Sequence, residues 1–154
     1  MHVRRYRPGE ELELWELFYS TIRTVNCRDY STKQVQTWAP DEMDREKWHT
    51  RIAGMNPFVC EVANVIVGYA ALLETGYIDH FYVHHQWQRK GVGNSLVTKI
   101  FETASELGLN ELTSDVSITA KPFFEAKGFE VVAPQDVSIG DVLFRNYKMR
   151  KSLK

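Results

Sequence analysis

The chain has 154 residues, the length of one domain with a single sizeable core. Hydrophobic residues make up 44% and aromatics 12%, too many for a disordered chain. Nineteen Lys and Arg against twenty Asp and Glu leave a formal charge of −1, so nothing in the overall charge favours broad binding to nucleic acid or to an anionic membrane. A local basic patch escapes such a sum. Cys27 and Cys60 are too few for a disulfide scaffold and lie in no CxxC or Cys/His cluster. They read as reduced thiols, at least one of them buried, without structural zinc. The segment MHVRRYRPGEELELW has no apolar core of a signal peptide, and the longest apolar stretches are strand-length. A soluble cytoplasmic protein is the expectation.

In chain order, HVRRY (2–6) reads as a strand closed by Pro8-Gly9. A helix is expected from Glu10 to Thr24, with Leu14, Leu17, Phe18, Thr21, Ile22 and Val25 on one face. Glu10, Glu11 and Glu13 suit the positive end of its dipole. The pattern breaks at 26–30. Ser31 caps a short helix to Trp38, ended by Pro40, and another helix spans Asp41 to Ala53. The period then changes. PFVCEVA (57–63) and VIVGYAALLE (65–74) form a hairpin about Asn64, and YIDHFYVHH (77–85) is a third strand. Gly91–Leu107 is a strong helix closed by Gly108. NELTSDV (110–116) is a strand, Thr119–Lys127 a short helix ending at Gly128, and FEVV (129–132) and VLFRNYKM (142–149) are the last strands. The whole predicts one mixed α/β domain over residues 1–154, a central sheet with helices on both faces.

The most informative stretch is YIDHFYVHHQWQRKGVGNSLV (77–97). A strand runs into Gln88-Arg89-Lys90-Gly91-Val92-Gly93 and a helix starts there. A helix N-terminus presents unpaired N–H groups and a positive dipole end, and two glycines permit close backbone approach. With Arg89 and Lys90 this is an anion site of pyrophosphate size; otherwise it is an ordinary strand–helix turn with surface charges. GxxxxGK[ST] is absent, and GxGxxG fails because Leu96 occupies its third position.

Gln88–Gly93 resembles the Q/R-x-x-G-x-G/A signature of the GNAT superfamily, the GCN5-related N-acetyltransferases. The segment SITAKPFFEAKGFEVV (117–132) is similar to the family's fifth strand, following helix and sixth strand, in which a helix ends at a Gly-Phe pair, here Gly128-Phe129. YSTKQVQTWAP (30–40) resembles a branch of small bacterial acetyltransferases of undefined substrate. The resemblance implies a mostly antiparallel sheet splayed between its fourth and fifth strands. It implies acetyl-CoA as co-substrate and no metal. The loop amides from Arg89 through Lys90, Gly91, Val92 and Gly93 to Asn94 would hold the pyrophosphate, with Gln88 at the loop's start. Phe81, Tyr82 and Val83 would line the pantetheine arm, Phe81 and Val83 pairing with it through their backbones. Ser117 stands where relatives often have Asn.

Acetyl transfer to an amine needs a polarised carbonyl, a deprotonated nucleophile and a tolerable leaving thiolate. The backbone N–H of Phe81 is the family-equivalent oxyanion donor. For the base, relatives place a carboxylate or His nine or eleven residues before the signature's first residue, which gives Asp79 or Tyr77. Alternation puts Tyr77, Asp79, Phe81 and Val83 on one face. A carboxylate in an otherwise apolar strand is partly desolvated, which suits a base; Asp79 also reads as a structural or surface carboxylate. Glu74 is a second candidate. His80 and His84 alternate to the other face as packing or surface residues. The sequence departs from the family at Phe124, where a Tyr general acid is common. Phe124 can pack against the thioester, and the acid is unassigned among water, Ser117, Tyr82 and Tyr147. Tyr30, Trp38 and Trp15 are candidate acceptor-pocket walls or core; Trp48 and His49 read as structural. The expected function is acetyl transfer to a primary amine of a small molecule or peptide by a monomer or homodimer. The alternatives are an acyl-CoA-sensing module that has lost catalysis and, more remotely, a nucleic-acid-binding domain using Arg89-Lys90.

Overall fold

The computed structural model describes residues 1–154. The first strand, β1, is His2–Arg5. Helix α1 is Glu11–Thr24, with Glu11 and Glu13 in its first turn. A 3₁₀ turn over Asn26–Arg28 fills the break in pattern. Helix α2 is Thr32–Trp38 and is capped reciprocally: the Gln34 N–H donates to Ser31 Oγ, and the Ser31 N–H to Gln34 Oε1. Helix α3 is Arg45–Met55, starting later than expected because Asp44 is the residue that caps it, accepting from the Lys47 N–H. It runs through Gly54 and ends at Asn56 in the left-handed region.

Strands β2 (Phe58–Val62) and β3 (Val65–Leu72) form the expected hairpin. Ala63 and Asn64 both have positive φ, 50° and 65°, the backbone of a two-residue turn matched to strand twist. Then come β4 (Tyr77–Val83), a 3₁₀ turn at His85–Trp87, α4 (Val92–Glu106), β5 (Glu111–Ser117) and α5 (Lys121–Ala126). The last strands are longer than the sequence suggests: β6 is Glu130–Ile139 and β7 is Val142–Ser152. Pro134 does not end β6, because β6 is the sheet's edge and its outer N–H positions need no partner.

The seven strands form one sheet in the order β1-β2-β3-β4-β5-β7-β6. Neighbours are antiparallel except β4 and β5, which are parallel. One face carries α1, α2 and α3 over Leu14, Phe18, Ile22, Trp48, Ile52 and Tyr69. The other carries α4 and α5 over Ile78, Val92, Leu96, Ile100, Leu112 and Phe124. Leu14, Leu96 and Ile100 are fully buried, each contributing roughly 1.5–3 kcal/mol of transfer free energy.

Two irregularities position the site. The β4–β5 ladder holds only Tyr77 against Thr113 and Ile78 against Ser114. Beyond them β4 follows β3 as far as Val83, while β5 follows β7 to Ser117. The sheet therefore opens as a wedge. The second is a bulge in β4. Ala70 faces Phe81 but Leu72 faces Ile78, so one β3 residue stands opposite both Asp79 and His80. This corrects the alternation read from the sequence. Phe81 and Val83 pack toward α4, whereas Asp79 turns to the α3 side, where it meets Arg51. The extra residue shifts the alternation by one.

Candidate active site

The wedge holds two adjoining cavities. The outer one, about 530 Å³, lies between the β4–α4 loop, the start of α5 and the 3₁₀ turn after α1. The inner one, about 100 Å³, lies between β4 and β5. Phe81, Tyr82, Ser117 and Ala120 line both.

The outer cavity is built largely from backbone. Arg89 (φ 58°) and Gly91 (φ 88°) are both left-handed, on either side of Lys90. Such alternation turns successive N–H groups into one concavity, a nest for anions. It opens on the N-terminus of α4, fifteen residues long and without a side-chain cap, so its first N–H groups remain available. Gly91 is required by its φ. Gly93 lies against Phe123: a Cβ there would come 3.0 Å from that ring, which would have to give by a few tenths of an ångström. Gln88 Nε2 donates to the Val83 carbonyl at 2.7 Å and so ties the loop to the end of β4. Thr21 Oγ1 donates to the same carbonyl at 3.2 Å.

Backbone direction follows from one hydrogen bond. The His84 N–H donates to the Val67 carbonyl at 2.8 Å, which sets bonded pairs at alternate positions and makes Tyr69–Tyr82 such a pair. The N–H and C=O of Phe81 and Val83 therefore turn from β3 toward the wedge, where β5 has departed.

The inner cavity is built from side chains. Asp79, Asp115, Tyr77, Trp38, Tyr82 and Phe124 are among its walls. Both Asp79 oxygens lie 3.1 Å from Arg51 Nη2. The Asp79 side chain is 20% exposed, covered yet reachable. Asp115 accepts from the Tyr77 hydroxyl at 2.9 Å and from Gln135 Nε2 at 2.8 Å. His80 stacks on Phe18 and shares a 2.9 Å hydrogen bond between its Nδ1 and the Tyr69 hydroxyl. Burial, then the nearby Arg51 charge, pushes its imidazole down to about 3, so it is neutral packing.

Of the residues that the resemblance assigns to the co-substrate, Phe81, Tyr82, Val83, Gln88, Arg89, Gly91, Gly93, Asn94 and Ser117 line the outer cavity. Three do not. The Lys90 ammonium lies 5.3 Å from the Trp87 ring centre. The Val92 side chain is core, leaving only its backbone at the helix start. Phe124 is buried and lines the inner cavity instead, packed on Phe81 and Phe129. Trp38 reaches the inner cavity. Tyr30 lies behind it, its hydroxyl donating to the Arg145 carbonyl at 2.6 Å and accepting from the Ile118 N–H at 3.0 Å. It ties the end of β5 to β7 and lines neither cavity. Glu74 is exposed in the turn after β3. Trp15 and Trp48 pack on each other, and Trp48 Nε1 donates to the Glu11 carbonyl at 2.7 Å. His84 caps the 3₁₀ turn after β4, accepting from the Gln86 N–H.

Sequence reasoning missed Asn26, Arg28 and Phe123 in the outer cavity, Asp115 in the inner one, and Arg51 as the partner of Asp79. The only available signal was the broken helical pattern at 26–30. No group of three or more His, Cys, Asp or Glu side chains is arranged to hold a metal ion. No helix is long and apolar enough to cross a membrane.

The comparisons agree with this geometry. An uncharacterized N-acetyltransferase of Escherichia coli K12, YafP, is 33% identical over 150 residues, 97% of this chain and 95% of the relative. The crystal structure of the GCN5-related N-acetyltransferase "Aminotransferase, Class-II" from Rhodopseudomonas palustris superposes with a TM-score of 0.94 at 30% identity, covering 99% of this chain and 95% of that one. The PaiA N-acetyltransferase of Thermoplasma acidophilum, in complex with coenzyme A, shares the fold at 15% identity, with a TM-score of 0.72 and 98% of each chain covered. The model of the acetyltransferase (GNAT) domain matches residues 26–152. With that match spanning most of the sheet and both walls of the wedge, the chain belongs to the GNAT family of acetyltransferases.

Proposed function

We propose that the wedge takes acetyl-CoA from the α4 side and a primary amine from the Asp79–Asp115 side, and that the acetyl group passes directly between them in one ternary complex. The observation that carries this reading is the early end of the β4–β5 ladder at Ile78 and Ser114. It joins an anion-binding nest to a small acid-lined cavity through one opening. The outer volume lies within the range of small-molecule sites. The donor set fits a pyrophosphate: consecutive amides at a helix N-terminus, with Arg89 beside them.

Bound acetyl-CoA supplies an activated thioester carbonyl. The protein's part is positional and electrostatic. Amides from Arg89 to Asn94 hold the diphosphate. The Phe81 N–H, directed into the wedge and unable to reorient, polarises the carbonyl. The Val83 N–H is available to the pantetheine arm, while its carbonyl is occupied by Gln88 and Thr21. Asp79 accepts the proton that an ammonium loses to become a nucleophile, and Arg51 fixes the orientation of that carboxylate. Asp115 adds a second negative charge that favours a cationic acceptor. The inner cavity's size favours an amine on a slim arm of a small molecule or peptide over one on a bulky ring.

The experiment is to follow free thiol while acetyl-CoA is mixed with a panel of primary amines. Thiol release that needs an amine, with one acetylated product per thiol, supports the transfer. Tight acetyl-CoA binding with no release on any amine would replace it with a sensing module.

A further inference from the structure

A leaving thiolate needs a hydrogen-bond donor, and Phe124 has none to give. The tyrosines on the α1 face differ in one respect. Tyr19 donates to Asp41, Tyr30 to the Arg145 carbonyl, and Tyr77 to Asp115, while Tyr69 bonds His80. Tyr82 and Tyr6 have no acceptor for their protons, and of the two only Tyr82 lines a cavity. Its polar neighbour is the Trp38 indole, which only donates. The Tyr82 Oη is not one of the buried polar atoms left without a partner, so its proton is open to the cavities rather than sealed in the core. Tyr82 lines both cavities, at the junction where the nest's contents meet the acid-lined chamber. Of the four residues shared by the two cavities, only Tyr82 and Ser117 carry hydroxyls. Ser117 Oγ accepts from the Ala120 N–H at 3.1 Å, which holds the oxygen in the turn into α5; its proton is also free, so Ser117→Ala is the control in the test below.

Resting on the reading of the wedge as the acetyl-CoA site, we propose that the Tyr82 hydroxyl is the catalytic hydrogen-bond donor to the leaving sulfur. The amine nitrogen, its first proton already taken by Asp79, forms the C–N bond to the acetyl carbon and yields its second proton to water. The C–S bond breaks with its electron pair on sulfur. The thiolate is held by Tyr82 Oη–H, whose proton stays on oxygen, and takes a proton from water on release. Burial raises the Tyr82 phenol above its ordinary range, which keeps it a donor throughout.

The test reads the thiol of bound CoA by its thiolate absorbance as pH rises. In the unmodified protein the thiol should titrate about one unit below its free value near 8.5. In the Tyr82→Phe variant, with CoA affinity below that pH unchanged, the shift should vanish, and single-turnover acetyl transfer should slow by about tenfold. An equal shift in both proteins, or one abolished by Ser117→Ala instead, overturns the assignment. Should Tyr82→Phe fail to fold, the unmodified protein still decides. Its preference for CoA over desulfo-CoA should grow as pH passes the shifted value, and a flat preference overturns the role. Failure to bind CoA at all would overturn the acetyl-CoA reading itself, whereas CoA bound with an unshifted thiol would overturn Tyr82 alone.

Discussion

The two cavities are built from different materials. The outer one is made by consecutive residues: a left-handed Arg89, a left-handed Gly91 and the first amides of α4. The inner one gathers Trp38, Asp79, Tyr82, Asp115 and Phe124 from α2, β4, β5 and α5. A site made of backbone is written in a short segment and survives much side-chain change. A site made of side chains depends on where distant elements come to rest. The first kind suits a donor shared by a family, and the second suits an acceptor particular to one chain.

That difference is open to attack by mutation. The largest effect should come from Asp79→Asn, which keeps the shape of the inner cavity but removes the proton acceptor. Turnover should fall by about 10²–10⁴-fold with acetyl-CoA affinity kept; a loss of affinity would mean that the cavities are not separable. Next is Gly91→Val. It places a β-branched side chain at φ 88°, so acetyl-CoA affinity should drop by roughly 30-fold or more and the fold by about 1–2 kcal/mol. Calorimetry with acetyl-CoA, paired with a melt, separates the two effects, and unchanged affinity would remove the pyrophosphate from this loop.

A smaller effect concerns pH. His80 titrates at about 3 when folded, held down by burial and then by Arg51, against about 6.5 unfolded. Between these values the unfolded chain binds a proton that the folded one refuses. Stability contributed by His80 is therefore complete above about 6.5 and declines as pH falls toward 3, by at most about 1.4 kcal/mol per unit. Urea melts of His80→Gln should show a shallower acid slope than the unmodified protein; equal slopes would contradict its burial as a neutral ring. The smallest is Arg89→Gly. Releasing a non-glycine residue from φ 58° should stabilise the fold by about 0.5–1 kcal/mol while weakening acetyl-CoA binding several-fold at low salt. If affinity holds at low salt, the Arg89 charge has no part in binding.

The same contrast explains what the sequence disclosed. The helix start at Gly91–Gly93, the strand before it and the Ser31 cap are local features, legible because helix termini and turns have fixed chemistry. The splay was legible only through the family resemblance. The bulge at Asp79-His80 leaves no mark in a strand of alternating residues, so alternation alone puts Asp79 on the other face and conceals its pairing with Arg51. In the sequence, Tyr30 and Trp38 are alike as aromatics beside one short helix. What separates them is that the Tyr30 hydroxyl is engaged by β5 and β7, a contact across 88 and 115 residues of chain.

The most direct test is a crystal structure with acetyl-CoA bound. The diphosphate should lie against the amides of residues 89–94 and the thioester at the junction of the cavities, its carbonyl oxygen on the Phe81 N–H and its sulfur within hydrogen-bond reach of Tyr82 Oη. A cofactor seated outside the wedge, or a thioester directed away from Asp79 and Tyr82, would contradict it.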